Sequence, residues 1–294
     1  MPGNPFEPTE LAAWNAWRAD KLAKAPASVA DLVVEVDDIE APTPAEHAAM
    51  MDRIRRGNMA VYVERRPRPG RDDKAAVRRL GERFGLTSLD RNHLADDDGI
   101  TPLAVHGDGA RARYIPYTDR PIAWHTDGYY NHPPRQVRAL LLHCARPAAV
   151  GGENRLMDTE MAYLLLRDED PAHVAALMRD DAMTIPANDE DGMARPATIG
   201  PVFWLDRDGR LAMRYTARAR NIEWSGEPAV QAAVAALRRI LDGPGPHVFT
   251  ARLEAGWGLV GNNVLHTREK FTDDSAAPRL LYRARYHDRI QDTP

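Results

Sequence analysis

The chain has 294 residues, 44% of them hydrophobic and 28% charged, with a formal net charge of −4 at pH 7 and a single cysteine. This is enough chain to bury a substantial core, and the composition is that of a soluble globular protein, not a disordered, fibrous or membrane one. No apolar run approaches the roughly 20 residues of a membrane span. The start, Met1-Pro2-Gly3-Asn4-Pro5-Phe6-Glu7, lacks a basic segment followed by an apolar one, so no secretory signal is expected.

Lone Cys144 cannot close an internal disulfide, which suits a reducing cytoplasm. The negative balance speaks against a nucleic-acid partner. The basic run Arg65-Arg66-Pro67-Arg68-Pro69-Gly70-Arg71 has no interleaved aromatics to stack bases and reads as a solvated loop.

In chain order, Thr43-Pro44-Ala45-Glu46 predicts a capping box with proline at N1, and Gly57 a helix stop. Met59-Ala60-Val61-Tyr62-Val63 predicts a strand. Asp73 opens a second helix, with Ala76, Val77, Leu80 and Phe84 at helical spacing and an end at Gly85. From about residue 114 the signals turn to strands: Val137 to Cys144, a hairpin of Val202–Leu205 and Leu211–Tyr215 across Asp206-Arg207-Asp208-Gly209, then His247–Leu253, Gly258–Asn263 and Arg279–Tyr286. Helices starting near Asp158, restarting at Asp170-Pro171, and running from Ser225 to Gly243 interrupt them. Many short late strands predict a mainly β fold, a double-sheet barrel with helices packed outside. No linker is visible, so 1–294 is expected to be one domain, with 1–90 packed on a core of 114–288.

The richest local pattern is Trp124-His125-Thr126-Asp127-Gly128. Side chains at i and i+2 of a strand share a face, so His125 and Asp127 can reach one point. With one more histidine they would make a facial triad that leaves positions open on iron(II). His266, in Asn262-Asn263-Val264-Leu265-His266-Thr267-Arg268, follows a strand signal. Thirteen residues further on, Arg279 opens the strand Arg279-Leu280-Leu281-Tyr282-Arg283-Ala284-Arg285-Tyr286. Its planar guanidinium could grip a carboxylate bidentately.

Together, Trp124-His125-Thr126-Asp127, Leu142-His143-Cys144, Gly151-Gly152-Glu153-Asn154 and Val264-Leu265-His266 with Arg279 resemble the TauD/TfdA family, most closely its γ-butyrobetaine hydroxylase-like branch. The resemblance implies an Fe(II)- and 2-oxoglutarate-dependent dioxygenase on a double-stranded β-helix, or jelly roll. It implies iron held by His125, Asp127 and His266, and 2-oxoglutarate held by Arg279. Asn154 stands where the family usually has threonine or serine near 2-oxoglutarate. Tyr117 matches a position of the aromatic cage that binds quaternary ammonium in γ-butyrobetaine hydroxylases, but Arg285 takes another cage place.

Alternation puts Arg279, Leu281, Arg283 and Arg285 on one face of their strand. Three cations on one wall need anions nearby. One is 2-oxoglutarate; a second would be a substrate carboxylate, sulfonate or phosphonate on Arg283, the place of the sulfonate-binding arginine in taurine dioxygenases. The competing reading pairs Arg283 with an internal Asp or Glu. Tyr129, Tyr130 and Asn131 either wall the substrate or pack a loop, while His143, Cys144, Met213 and Trp257 read as core. The expected partners are thus a small, anionic substrate (an amino acid included), O₂ and 2-oxoglutarate, with no nucleic acid or membrane; a homo-oligomer is not excluded. A betaine-type hydroxylase, a metal-dependent hydrolase, a JmjC-type demethylase and a non-catalytic 2-oxoglutarate-binding protein are the alternatives. Asp127 favours hydroxylation over halogenation, because halogenases of the family carry a small residue there.

Overall fold

The structure is a computed structural model that describes residues 3–68, 70–91, 98–109, 111–132, 135–188 and 195–293. Ten strands build its two main sheets: β1 (Val33–Val36), β2 (Met59–Glu64), β3 (Thr101–Leu103), β4 (Ile122–His125), β5 (Ala139–Arg146), β6 (Asn154–Met157), β7 (Phe249–Ala251), β8 (Trp257–Asn262), β9 (Leu265–Arg268) and β10 (Leu280–Tyr286). The larger sheet runs β1-β2-β8-β5-β10-β3 and the smaller β7-β6-β9-β4. The N-terminal segment therefore contributes two strands to the larger sheet, β2 pairing antiparallel with β8.

Side-chain alternation sorts these strands into faces. Leu140, Leu142 and Cys144 of β5, with Leu259 and Leu281, share a core with Leu156 and Phe249 of the smaller sheet. The two sheets thus face each other. On the far side of the larger sheet, Leu141, Val260, Ala284 and Tyr286 pack against the helices Pro44–Gly57 and Asp73–Arg83 through Met50, Ile54, Val77 and Leu80. On the far side of the smaller sheet, Trp124, Met157 and Leu265 join the buried faces of three further helices, 159–169, 171–177 and 228–242. The layers are helix, sheet, sheet, helix.

Local rules account for the helix ends. Thr43 and Glu46 form the capping box, but the left-handed stop residue is Asn58 (φ 58°), one past the expected Gly57. Asp72, Asp158 and Asp170 cap the helices that follow them. The Phe203–Leu205/Leu211–Met213 hairpin forms as predicted. A three-stranded sheet of Met183–Ile185, Thr198–Gly200 and Glu223–Trp224 was not anticipated, and neither was the helix Leu11–Lys24. The basic run departs from expectation at Arg71, whose buried guanidinium pairs with Glu64 and Asp73. No described helix is long and apolar enough to cross a membrane.

Candidate metal and co-substrate site

His125 ends β4 and His266 sits directly opposite it on β9. Their neighbours Trp124 and Leu265 point outward into the helical layer, so alternation turns both imidazoles inward. The ring centroids are 4.2 Å apart. Asp127 does not share their strand: β4 stops at His125, and Asp127 stands in the turn that follows. Gly128 permits that turn with φ of 64°, and a Cβ there would collide with Val137. The i, i+2 expectation is corrected in its means, not its outcome. One ligand atom from each of His125, Asp127 and His266 lies within 4.8 Å of the others.

The chemistry of these donors suits a divalent cation. The Nδ1 atoms of His125 and His266 each lie 3.0 Å from the carbonyl two residues earlier, that of Ala123 and of Val264. Donation there fixes the tautomer and leaves both Nε2 atoms as acceptors. Burial, then the neighbouring His266, pushes His125 down to about 3; burial also lowers His266. Both rings are therefore neutral near pH 7. Burial opposes ionisation of Asp127, but Arg283 and Arg285 outweigh it and hold the carboxyl well below the usual range. Arg283 Nη1 donates to Asp127 Oδ1 at 3.1 Å. Asp127 Oδ2 is buried with no hydrogen-bond partner among the described residues. A buried, ionised oxygen without a donor, beside two imidazole acceptors, fits a 2-His-1-carboxylate iron site.

The cavity between the sheets is lined by both histidines, Asn154, Arg268, Arg279 and Arg283. Arg279 is buried, its guanidinium 4.9 Å from the Phe271 ring centre. No carboxylate or carbonyl of the described residues engages that guanidinium, whereas its backbone N–H donates to Asp273. Asn154 donates from Nδ2 to the Thr267 carbonyl at 2.7 Å, while its Oδ1 is buried with no hydrogen-bond partner among the described residues. Arg268 also reaches the cavity, but its two terminal nitrogens are spent on the carbonyls of Ile115, Pro116, Thr118 and Arg120.

Arg283 and Arg285 form their part of the wall as alternation requires, with internal compensation. Arg283 pairs with Asp127, and Arg285 with Asp90 at 2.6 Å and with the Tyr130 hydroxyl at 3.0 Å. The internal-carboxylate reading of Arg283 is thus realised, by the candidate metal ligand itself. Tyr117 is buried within the intersheet core, close enough to Arg283 and Arg285 to feel their charge. The Tyr129 hydroxyl accepts from Asn221 at 2.8 Å, and its ring packs on the helical layer. His143 and Cys144 are buried structural residues. Asp90, Arg268 and Asn263 escaped sequence reasoning. Asn263, whose amide meets the Asp127 backbone, and Arg268 stand within three residues of His266 and were legible as neighbours of a ligand; nothing around Asp90 signals its role.

A trimethyllysine dioxygenase of Meyerozyma guilliermondii is 28% identical over 166 residues, 53% of this chain and 40% of that protein. A uridine-5'-phosphate dioxygenase of a Streptomyces species is 32% identical over 200 residues, 64% of this chain and 70% of that one. Among solved structures, an asparagine oxygenase in complex with Fe(II), 3-hydroxyasparagine and succinate superposes with a TM-score of 0.60 at 13% identity, covering 87% of this chain and 93% of its own. The sequence pattern described as "Taurine catabolism dioxygenase TauD, TfdA family" matches residues 25–285. The chain belongs to this family and is a 2-oxoglutarate-dependent non-haem iron dioxygenase.

Proposed function

We propose that this enzyme hydroxylates a C–H bond of a small anionic molecule, with iron held by His125, Asp127 and His266 and the distal carboxylate of 2-oxoglutarate held by Arg279. The carrying observation is the convergence of three ligand atoms within 4.8 Å in the same cavity as the Arg279 guanidinium, which stacks on Phe271 and has no side-chain hydrogen bond among the described residues. The two facing sheets are read as a double-stranded β-helix, and the chain as a single catalytic domain.

The balanced reaction consumes substrate, 2-oxoglutarate and O₂, and yields hydroxylated substrate, succinate and CO₂. Bound iron with 2-oxoglutarate supplies the oxidising chemistry. The chain's own residues do the rest. Arg279 orients the keto acid, and Asn154 borders it. Arg283 keeps Asp127 ionised and turned, and apolar Leu142 and Leu281 on the cavity wall limit water.

Charge balance supports an anionic substrate. Among buried side chains, Arg268, Arg279 and Arg283 line the cavity and Arg285 lies beside Asp127, against the two buried carboxylates Asp127 and Asp90, with half-buried Asp273 and exposed Asp119 at the edge. The added charges of Fe(II) and 2-oxoglutarate cancel, so a positive surplus remains, and buried surplus charge is costly without a counter-ion. The relative that acts on uridine-5'-phosphate makes a phosphate-bearing molecule the first candidate, ahead of sulfonates, phosphonates, carboxylates and amino acids. The outer edge of Arg283, with Tyr117 nearby, would receive it. A betaine cage is disfavoured because Arg285, at a cage position, stays charged beside Asp90.

Anaerobic reconstitution with Fe(II) and 2-oxoglutarate should give the weak visible charge-transfer band of the chelate. Succinate formation should then rise with one class of anion in a panel that includes uridine-5'-phosphate, taurine-like sulfonates, phosphonates, amino acids and betaines. A response to betaines alone would overturn the substrate reading.

A further inference from the structure

Asn263 makes three hydrogen bonds that no ordinary loop residue would need. Its Oδ1 accepts from the Asp127 N–H at 2.8 Å, and its Nδ2 donates to the Asp127 carbonyl and to the Val137 carbonyl, each at 2.8 Å. Its own backbone N–H donates to the Arg138 carbonyl at 3.0 Å. One acceptor facing one N–H, and two N–H groups facing two carbonyls, match the amide in one orientation only.

The placement gives these bonds a purpose. Asp127 lies in a turn beyond β4, outside the ladder that registers His125 against His266. Nothing in that ladder sets how far the carboxylate stands from the imidazoles. Asn263 precedes His266 by three residues, and its amide closes on both polar groups of the Asp127 main chain. Aspartate in its place would set an anionic oxygen against two carbonyl oxygens, and a leucine would leave all three groups unmet.

We propose that Asn263 is a positioning residue that fixes Asp127 relative to His266 and thereby sets the affinity for the divalent ion. This rests on the metal reading of His125, Asp127 and His266. Loss of a partner that orients a ligand costs metal affinity by about 10–100-fold.

The test measures Mn(II) binding and the Mn(II)-induced rise in melting temperature for the wild type, Asn263→Ala and Asn263→Ser. The control is Asn58→Gly, which deletes an equally bonded buried amide elsewhere, on Asp158, Asn262 and Arg289. The expected result is a Kd for Mn(II) about 10–100-fold weaker in Asn263→Ala, an intermediate value in Asn263→Ser, and a smaller Mn(II)-induced rise in both. The control should melt lower in both states while keeping the wild-type rise. Asn263→Ser carries the test if Asn263→Ala does not fold. Wild-type affinity in the Asn263 variants, or equal loss in the control, overturns the positioning role. A wild-type protein that binds no Mn(II) overturns the metal reading and this inference together.

Discussion

Arg283 and Asp127 are both buried and meet at 3.1 Å, Nη1 on Oδ1. One oxygen of the carboxylate is thereby occupied, and the other, Oδ2, is left without a donor. An aspartate held in this way presents a single oxygen to a metal, and its negative charge survives burial because the guanidinium is fixed beside it. The same arginine lines the cavity, so one side chain links the candidate metal ligand to the proposed substrate space.

Arg283→Leu is therefore expected to act twice. Mn(II) affinity should fall by about 10-fold or more, as for loss of a group that orients a metal ligand. Substrate affinity, measured at saturating metal, should fall further, while the 2-oxoglutarate dissociation constant stays near the wild-type value. Calorimetric titrations of metal, co-substrate and substrate separate the three. Equal losses of 2-oxoglutarate and substrate would remove Arg283 from the substrate side.

Arg279→Leu should give the converse pattern. Charge-assisted hydrogen bonds are worth about 1.5–3 kcal/mol each, so losing a two-pronged grip should weaken 2-oxoglutarate by about 100-fold or more and leave Mn(II) binding unchanged. Arg279→Lys keeps the charge but not the fork, and should recover only part of the loss. The readout is the anaerobic charge-transfer band titrated with 2-oxoglutarate.

Much of this site was legible because its information is local. His125, His266, Arg283 and Arg285 follow from strand alternation, whereas Arg279 lies just before β10 and beyond an irregularity between Leu280 and Leu281, so it reaches the same cavity without the strand rule that pointed to it. Helix starts at Thr43, Asp158 and Asp170 were readable because a cap is a contact between near neighbours. What failed was long-range pairing. Asp90 meets Arg285 across most of the chain, and an acidic residue in a loop carries no mark of its distant partner. Arg71 was misread although its partners are near in sequence: Glu64, seven residues earlier, is buried at the end of β2, and the surrounding basic run gave no sign that one of its members turns back onto it. Asp127 was found through a strand rule although it lies in a turn, because Gly128 lets the chain bend where the strand ends.

A buried histidine outside the site should shape the acid limb of stability. His143, on the outer face of β5, contacts the Tyr62 hydroxyl through Nδ1 at 3.1 Å. Burial lowers it to about 4, with Asp73 opposing and Arg71 reinforcing the shift. The folded value lies below the ordinary 6.5, so the unfolded chain takes up the proton first. Stability is complete above about pH 6.5 and declines as the pH falls toward 4. His143→Gln should flatten that part of the curve relative to wild type in chemical denaturation across pH 4–7. An unchanged slope would mean that His143 is protonated alike in both states.

The Asp90–Arg285 pair allows a sharper test, because both members are buried and Asp90 is the carboxylate nearest to Arg285. Arg285 sits between Asp90 at 2.6 Å and the Tyr130 hydroxyl at 3.0 Å, with Asp127 at 3.9 Å. Asp90→Asn keeps the shape but strands a buried cation, and breaking such a pair costs about 3–5 kcal/mol. In a chain of this size that should lower the melting temperature by roughly 6–20 °C. Removing both charges with Asp90→Leu and Arg285→Met together should be milder than Asp90→Asn alone, since no uncompensated charge remains. The single variant should also bind Mn(II) less well: a released Arg285 lies near enough to Asp127 to compete for its carboxylate, whereas the double variant has no such competitor. Thermal melts with and without Mn(II) distinguish the outcomes, and a double variant weaker in metal binding than the single one would show that Arg285 supports Asp127 instead of competing for it.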